Sequence, residues 1–261
     1  MDRARTTPFH EDRARALSFG GVAALYDRAR PSYPAALVDD LMAWAPRTVL
    51  DVGCGTGKAA RLFAERGCEV LGVEPDPQMA SVAREHGITV ERSAFEEWDP
   101  RGRRFDLIVS GQAWHWVDPD IGAAKAAGVL PGGGHLAVFW NGGRHDPATG
   151  AALEVVYNRV APAIAGTTTS LRPVTVDGGD RFAAFQRSGW YSAVEARAYP
   201  WVAVYDRAGW LDYIATHSDH VQLPEAQRRA LLDAVGDLID AQGGTLTYHF
   251  STVAIVATRG M

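Results

Sequence analysis

The sequence predicts an α/β fold built on a doubly wound, mostly parallel sheet. Three observations carry that expectation. Between residues 48 and 140, short apolar and β-branched runs alternate with helical segments. Glycines punctuate the junctions, as at Gly53, Gly67, Gly87 and the turn Pro131-Gly132-Gly133-Gly134. Two long β-type runs close the chain, with helical segments between them.

Before residue 47 the pattern is helical. Gly20–Arg30 is a short amphipathic segment, Pro31-Ser32-Tyr33-Pro34 breaks it, and Pro34 is placed as the first residue of a helix through Trp44. From Thr48 the period changes. Thr48–Val52 reads as a buried strand, followed by a helix over Lys58–Arg66. Glu69–Val73 and Ile88–Glu91 are the next strands, separated by a helix over Pro77–His86. Phe105–Ser110 and His135–Trp140 follow as the fourth and fifth. After Asn141 the alternation lapses. Thr149–Ala163, Arg181–Ser188, Arg207–Ala215 and Glu225–Gln242 read as helices. Val194–Tyr205 reads as a strand interrupted at Pro200, and Leu246–Thr258 as a last long strand of the same sheet.

Composition narrows the partners. The chain has 261 residues, 47% hydrophobic and 22% charged, ordinary values for a globular protein with a full core. Its net charge is −5 and no block of Lys or Arg stands out, so no nucleic-acid partner is expected. Cys54 and Cys68 form no C-x-x-C pair, which gives neither a zinc site nor a disulfide framework and suits a reducing compartment. No signal peptide is visible and no apolar run approaches the ~20 residues that cross a bilayer. A soluble, cytoplasmic protein with no membrane partner and no metal is expected.

The segment Gly53-Cys54-Gly55-Thr56-Gly57 stands where a buried strand turns into a helix. Glycines let the backbone take positive φ and approach a ligand without a Cβ in the way. The helix start behind them offers unpaired N–H groups, which suit a carboxylate or a phosphate equally. A tight turn without a ligand would have the same composition. Glu74 narrows the choice. It ends the next strand beside the loop, where an acid in doubly wound folds hydrogen-bonds ribose hydroxyls. Alone, Glu74 would read as a helix N-terminal charge ahead of Pro75. Together the loop and the acid favour an adenosine-type ligand. Gly55-Thr56-Gly57-Lys58-Ala59-Ala60 also satisfies a loose G-x-G-x-x-A dinucleotide pattern, so an NAD(P)-linked oxidoreductase stands as the alternative.

A series of ordered motifs favours another cofactor. VLDVGCGTG, GVEPDPQM, SAFEEW, FDLIVSGQAWHW and LPGGGHLAVF follow one another between Thr48 and Trp140, and LTYHFSTVAIVATR lies near the end. Together they resemble class I S-adenosylmethionine-dependent methyltransferases. The resemblance implies a Rossmann-like, seven-stranded sheet with an antiparallel last strand. It implies S-adenosyl-L-methionine as cofactor and S-adenosyl-L-homocysteine as product. Gly53, Gly55 and Gly57, with Cys54 between them, would pass close to the methionine part, and Asp51 would orient the loop or the amino group. Glu74 would bind the ribose, with Pro75 and Met79 against the adenine and Ala94 and Phe95 as its other wall. Gln112, Ala113 and Trp114 would follow the fourth strand into the site. Met79 and Phe95 read equally well as core packing.

Two further stretches, AWHWVDP and FGGVAALYDRARPSYP, resemble a small-molecule branch that includes trans-aconitate-type methyltransferases. In that branch a helical lid closes over the cofactor. The resemblance divides a single methyltransferase domain into a lid over residues 1–46, a cofactor-binding core over 47–141, and the remaining strands with helical pocket insertions over 142–261. Tyr26, Arg30 and Tyr33 are the lid residues of interest: an arginine meets carboxylates, and aromatic faces favour a sulfonium cation. A small-molecule acceptor methylated on a carboxylate or hydroxyl oxygen is expected. A carboxylate needs no base. For a hydroxyl, His115 is the candidate, although a structural, hydrogen-bonded histidine competes with that role. Trp116 alternates with Trp114 across the same segment, while Trp201, Tyr205, Trp210, Tyr213 and Thr216-His217-Ser218 are candidate lining of the acceptor pocket. A catalytically silent S-adenosylmethionine-binding protein would keep the same motifs, because fold does not determine function.

Overall fold

Strand β1 (Thr48–Val52) occupies the centre of the sheet because its last four residues are all buried. It pairs in parallel with β2 (Glu69–Val73) and β4 (Leu107–Gly111); β3 (Thr89–Glu91) adds to β2, and β5 (His135–His145) to β4, also in parallel. β7 (Thr245–Arg259) runs antiparallel to both β5 and β6 (Tyr191–Asp206). The seven strands lie in the order β3-β2-β1-β4-β5-β7-β6. This is the expected Rossmann-like, doubly wound sheet with an antiparallel last strand. The computed structural model describes residues 9–11, 17–166 and 179–261; residues 1–8 and 12–16 of the expected lid and 167–178 of the expected insertion lie outside them.

The order of strands locates the crevice. After β3 the chain returns to place β4 on the other side of β1, so the direction of winding reverses between these two neighbours. Ligands of open α/β sheets bind at the carboxyl ends of such a pair.

Alternation along the strands fills both faces. Leu50, Val52, Ile108, Leu136 and Val138 pack with Ala123, Ala126 and Val129 of helix α5 (Pro119–Val129). On the other face Val49, Leu107, Val109 and Phe139 meet Leu37, Val38 and Leu41 of α2 (Ala35–Met42) and Phe63 of α3 (Lys58–Ala64). The α1 helix (Ala23–Ala29) and α4 (Pro77–Glu85) flank the same end of the sheet. A second apolar cluster lies past the parallel core. There Tyr248 and Phe250 of β7 pack with Tyr157 of α6 (Pro147–Val160), Trp210 and Tyr213 of α9 (Arg207–Ala215) and Leu231 of α11 (Glu225–Ala241). Short helices α7 (Pro162–Ala165) and α10 (Ser218–Val221) and helix α8 (Gly179–Arg187) complete the set. Among the described residues, no helix is long and apolar enough to cross a membrane.

Four elements depart from the sequence expectation. Pro34 is the N-cap residue of α2, with extended ψ, and not its first helical residue. The fifth strand, expected to end at Trp140, continues to His145. Gly143 is required there by close approach: a Cβ would stand 2.5 Å from the His249 carbonyl oxygen on β7. Strand β6 runs unbroken through Pro200, which its position at the sheet edge permits. Helix α5 was not foreseen, although Asp118-Pro119 is a strong start: the Asp118 carboxylate accepts from the N–H groups of Asp120 (3.0 Å) and Ile121 (2.9 Å).

Asn141 ties the extended strands to the N-terminal segment. Its Nδ2 donates to the Ser32 carbonyl (3.0 Å), and its Oδ1 accepts from the Thr252 hydroxyl (2.7 Å). That hydroxyl in turn accepts from Trp201 Nε1 (2.9 Å). Asn141→Ala strips two bonds from a buried network, a change worth ~1–3 kcal/mol. A fall in Tm of roughly 2–10 °C is expected by calorimetry or thermal-shift assay.

Candidate functional site

The loop after β1 is bent by left-handed glycines, Gly53 (φ 67°), Gly55 (φ 54°) and Gly57 (φ 83°). Any L residue there is strained by ~1–2 kcal/mol. At Gly53 space is closed as well, since a Cβ would lie 2.5 Å from that of Ala113 in the loop after β4. The Gly53 and Cys54 amides both donate to the Val73 carbonyl at the end of β2 (2.8 and 3.2 Å). Cys54 turns its thiol onto Gly72, where a Cβ would come within 2.6 Å of Sγ. Burial pushes that thiol well above its ordinary range, so it packs and stays protonated.

Two acids face each other across this loop. Asp51, on β1, is 1% exposed, and neither carboxylate oxygen has a hydrogen-bond partner among the described residues. Burial pushes its pKa up to about 7; the Ala60 amide faces it without completing a bond and pulls the other way, and Glu74 adds repulsion. Glu74 accepts from the Gly55 N–H (2.9 Å) and the Asp76 N–H (2.9 Å). Burial lifts it to about 7 in spite of those two donors. Each carboxylate oxygen has two lone pairs, so Glu74 can still receive hydroxyl protons from a ligand. Burying such charges without a cation is unfavourable. The pair is therefore suited to a ligand that brings both positive charge and hydroxyl donors.

The remaining sequence candidates divide into those beside the pair and those packed away from it. Met79 is buried, with Cε 3.5 Å from where a Gly55 Cβ would stand. Asp76 caps α4, accepting from the N–H groups of Gln78 (2.8 Å) and Met79 (3.0 Å). Pro75 is exposed and Ala94 half-buried. Phe95 and Trp114 are core residues, with ring centroids 5.9 Å apart; Trp114 also packs on Phe185 (5.7 Å). Gln112 takes a positive φ of 57°, rare outside glycine, and its Nε2 donates to the Asn141 carbonyl (3.0 Å). His115 Nδ1 accepts from Trp140 Nε1 (3.1 Å), and its ring lies 4.7 Å from that of Trp116. The neutral ring therefore carries its proton on Nε2. Trp201 stacks on Phe250 at 4.0 Å.

The N-terminal segment covers the loop. The Tyr33 hydroxyl sits over Gly111, where a Cβ would be 2.4 Å away, and its ring packs edge-on against Phe139 (4.6 Å). Burial raises the pKa of Tyr26 and Tyr33, and the charges of Glu74 and Asp51 respectively add to it, which puts both phenols beside the acids. Arg30 lies between the rings of Tyr26 (5.3 Å) and Tyr213 (5.4 Å). Its Nε donates to the Thr216 hydroxyl (2.7 Å) and an Nη to the Thr216 carbonyl (3.1 Å). Asp27 is a residue that sequence reasoning missed. Its carboxylate meets Arg61 Nη2 (3.0 Å) and His86 Nε2 (2.8 Å), and its carbonyl accepts from Lys58 Nζ. Burial opposes its ionisation, but the His86 bond and the Arg61 charge outweigh that and hold it below the usual carboxylate range. Helix α1 is thereby fastened to α3 and α4. Nothing in the sequence signals this latch, whose partners lie 31 to 59 positions away.

Comparison with known proteins agrees with the geometry. The methyltransferase-domain family model matches residues 49–134. An uncharacterized methyltransferase of Mycobacterium tuberculosis is 30% identical over 256 residues, spanning 94% of this chain and 97% of that protein. A trans-aconitate 2-methyltransferase of Mycobacterium ulcerans is 35% identical over 124 residues, 46% of each chain. Among solved structures, a protein of Anaeromyxobacter dehalogenans described as a type II methyltransferase superposes with a TM-score of 0.64 at 24% identity, covering 88% of this chain and 97% of that one. Phosphoethanolamine N-methyltransferase 2 of Haemonchus contortus, solved with phosphomonomethylethanolamine and S-adenosylhomocysteine, gives a TM-score of 0.52 at 16% identity over 100% of this chain and 62% of that one. These two structures share the fold. The chain belongs to the S-adenosylmethionine-dependent methyltransferase family.

The raised pKa of Asp51 has a consequence for stability. Its folded value, about 7, exceeds the ordinary 3.8, so the ligand-free protein loses stability as pH rises between them. Asp51→Asn is expected to raise the stability of the ligand-free protein at pH 8 by ~1–3 kcal/mol. Urea unfolding at several pH values should show that gain shrinking steadily toward pH 4.

Proposed function

We propose that this chain transfers the methyl group of S-adenosyl-L-methionine to an oxygen, carboxylate or hydroxyl, of a small molecule. The observation that carries the cofactor assignment is the buried pair Asp51 and Glu74, short of positive charge and set beside a glycine cradle that a Cβ would fill. The residues fit the group. Asp51 would take the ammonium, Glu74 the ribose hydroxyls, and Arg30 the carboxylate of the methionine part. Gly53, Cys54, Gly55 and Gly57 supply the cradle, while Met79, Pro75 and Ala94 surround the base, with the Phe95 backbone beside it. Gln112 and Ala113 frame the β4 side, and the Trp114 side chain supports them from the core. A dinucleotide would set its pyrophosphate on the glycine loop next to the buried, unpaired Asp51 carboxylate, which weighs against the NAD(P) alternative.

When bound, the cofactor supplies an activated methyl and a thioether leaving group. What the chain contributes is alignment and the exclusion of water. Helix α1, latched through Asp27, lays Tyr26, Arg30 and Tyr33 over the cradle. The half-match to a protein named for trans-aconitate supports a carboxylate acceptor, which needs no base. His115 does not act as the base in this scheme. Its only nitrogen able to accept a proton is Nδ1, which already receives the Trp140 N–H.

Calorimetry with S-adenosylhomocysteine and with NADH tests the cofactor: the first is expected to bind and the second not, and binding of NADH alone overturns the proposal. Glu74→Ala is expected to weaken S-adenosylhomocysteine at least ~10-fold, in line with loss of a charge-assisted pair of bonds, with an unchanged circular dichroism spectrum. Both acids must ionise to meet the ligand's positive charge, so affinity should rise from pH 6 to pH 8 with release of protons. A flat affinity over that range would count against Asp51 and Glu74 as the binding pair.

A further inference from the structure

We propose that His217 receives the proton of a hydroxyl acceptor during methyl transfer, so that the natural acceptor is a phenol or alcohol and not a carboxylic acid. The inference rests on the methyltransferase reading above and chooses between its two acceptor chemistries.

His217 is 4% exposed, and its Nδ1 is buried with no hydrogen-bond partner among the described residues. Buried polar atoms are ordinarily satisfied, so an orphan of this kind asks for a ligand. The residue is the N-cap of α10 but makes no side-chain cap bond, so capping does not explain it. Its ring lies edge-on to Tyr213 at 4.7 Å, and Tyr213 stacks with Tyr205 (5.7 Å) and packs on Trp210 (5.2 Å). Tyr213 also carries the Arg30 guanidinium on its face, and the other neighbour of Arg30 is Tyr26 of the lid, beside Glu74. Arg30 thus joins the aromatic wall around His217 to the lid over the cofactor cradle. Tyr213 and Trp210 belong to the second apolar cluster, so an acceptor reaching His217 would be flanked by aromatic rings.

The neighbouring groups define what His217 can do. His217, Asp219 and His220 could be taken for metal ligands, their candidate atoms lying within 4.8 Å of one another. His220, however, uses Nδ1 on Asp219 (2.7 Å) and Nε2 on the Tyr157 hydroxyl (2.8 Å), and the Arg30 cation faces His217. Both facts disfavour a metal ion. Burial, Arg30 and His220 keep the His217 ring neutral, with Asp219 acting weakly in the other direction. In this proposal the ring proton lies on Nε2, so that the Nδ1 lone pair accepts a hydroxyl proton and repels a carboxylate oxygen. Arg30 would be occupied by the cofactor's own carboxylate, and an acidic acceptor would then find no free cation here among the described residues. Burial is the main cause that holds His217 below its ordinary range, and that occupation offsets the second, the Arg30 charge.

The step balances without a further reagent. The C–O bond forms at the acceptor oxygen as the C–S bond breaks, and the electron pair of that bond stays on sulfur. The hydroxyl proton passes to His217 and from there to water, and the positive charge lost from sulfur appears on the imidazolium.

Methylation of phenol, catechol and 4-nitrophenol is measured beside benzoate and trans-aconitate, using labelled S-adenosylmethionine and mass spectrometry. Wild type is compared with His217→Asn, which keeps a good N-cap residue, and with His217→Gln. Phenols are expected to be methylated and the acids not. Both variants should lose ~100-fold or more in kcat, the scale of a general base, and the acid limb of the pH profile. S-adenosylhomocysteine affinity, measured by calorimetry, should stay within about twofold of wild type. Preference for the acids, failure of S-adenosylhomocysteine-binding wild type to methylate any phenol, or variants with wild-type kcat and pH profile each overturn the assignment of His217. If both variants unfold, the preference of wild type between phenols and acids decides alone. Failure of wild type to bind S-adenosylhomocysteine overturns the cofactor reading instead.

Discussion

Two carboxylates buried side by side, Asp51 on β1 and Glu74 just past β2, constrain everything around them. In the parallel register Asp51 stands opposite Gly72, so the acids are held at neighbouring strand ends by the sheet itself. No guanidinium or ammonium is bonded to either carboxylate among the described residues, and burial raises both pKa values to about 7. A fold optimised for stability alone would replace such a pair with apolar residues. Under the proposed function the pair acts as preorganisation: negative charge and a rigid loop are in place before a cationic, hydroxylated ligand arrives. Gly53 and Ala113 in contact, and the Gly55 amide held by Glu74, keep that loop from collapsing onto the acids.

The cover over this site is made by long-range polar ties. Asp27 fastens α1 to α3 and α4, Arg30 reaches Thr216, and Asn141 joins Ser32 to Thr252 on β7. Each tie brings the N-terminal segment against a different part of the chain. The segment is consequently set against both the cofactor end of the sheet and the insertion helices. This is what a transfer reaction needs, since donor and acceptor must be enclosed together while water is kept out.

Much of this was legible in the sequence, but unevenly. Strand–helix alternation from Thr48 onward specifies the parallel core because its periods are local, and Gly53, Gly55 and Gly57 announce their turn because left-handed φ is a property of single residues. The extension of β5 through Gly142-Gly143 was hidden, since Gly143 serves close packing against β7, which no local pattern announces. Helix α5 was hidden by its Gly- and Ala-rich composition, which carries little amphipathic contrast, even though Asp118-Pro119 marks its start. Among the site candidates, Phe95 and Trp114 resemble lining residues in sequence but fill the core, a distinction that depends on their contact with each other and on Phe185, brought in from a distant helix. Asp27 carries no local signature at all.

The two histidines near the site show where sequence reasoning ends. His115 lies in the segment that the motifs point to, and residue type alone makes it the natural base. His217 lies in a stretch with no motif. What separates them is the bonding already in place: Trp140 donates to Nδ1 of His115, whereas Nδ1 of His217 is buried and has no partner among the described residues. A ring whose accepting nitrogen is already bonded has no open site for a further proton. A ring held neutral by burial and a nearby guanidinium, with a buried nitrogen that has no partner among the described residues, is the one to which the proposed function gives the proton. On the proposed reading, the chemistry of the acceptor turns on hydrogen bonds between residues far apart in the chain, Trp140 with His115 and Arg30 with Thr216. The cofactor half of the site is written in contiguous motifs, but the acceptor half is assembled from separate elements and becomes readable only once they are folded together.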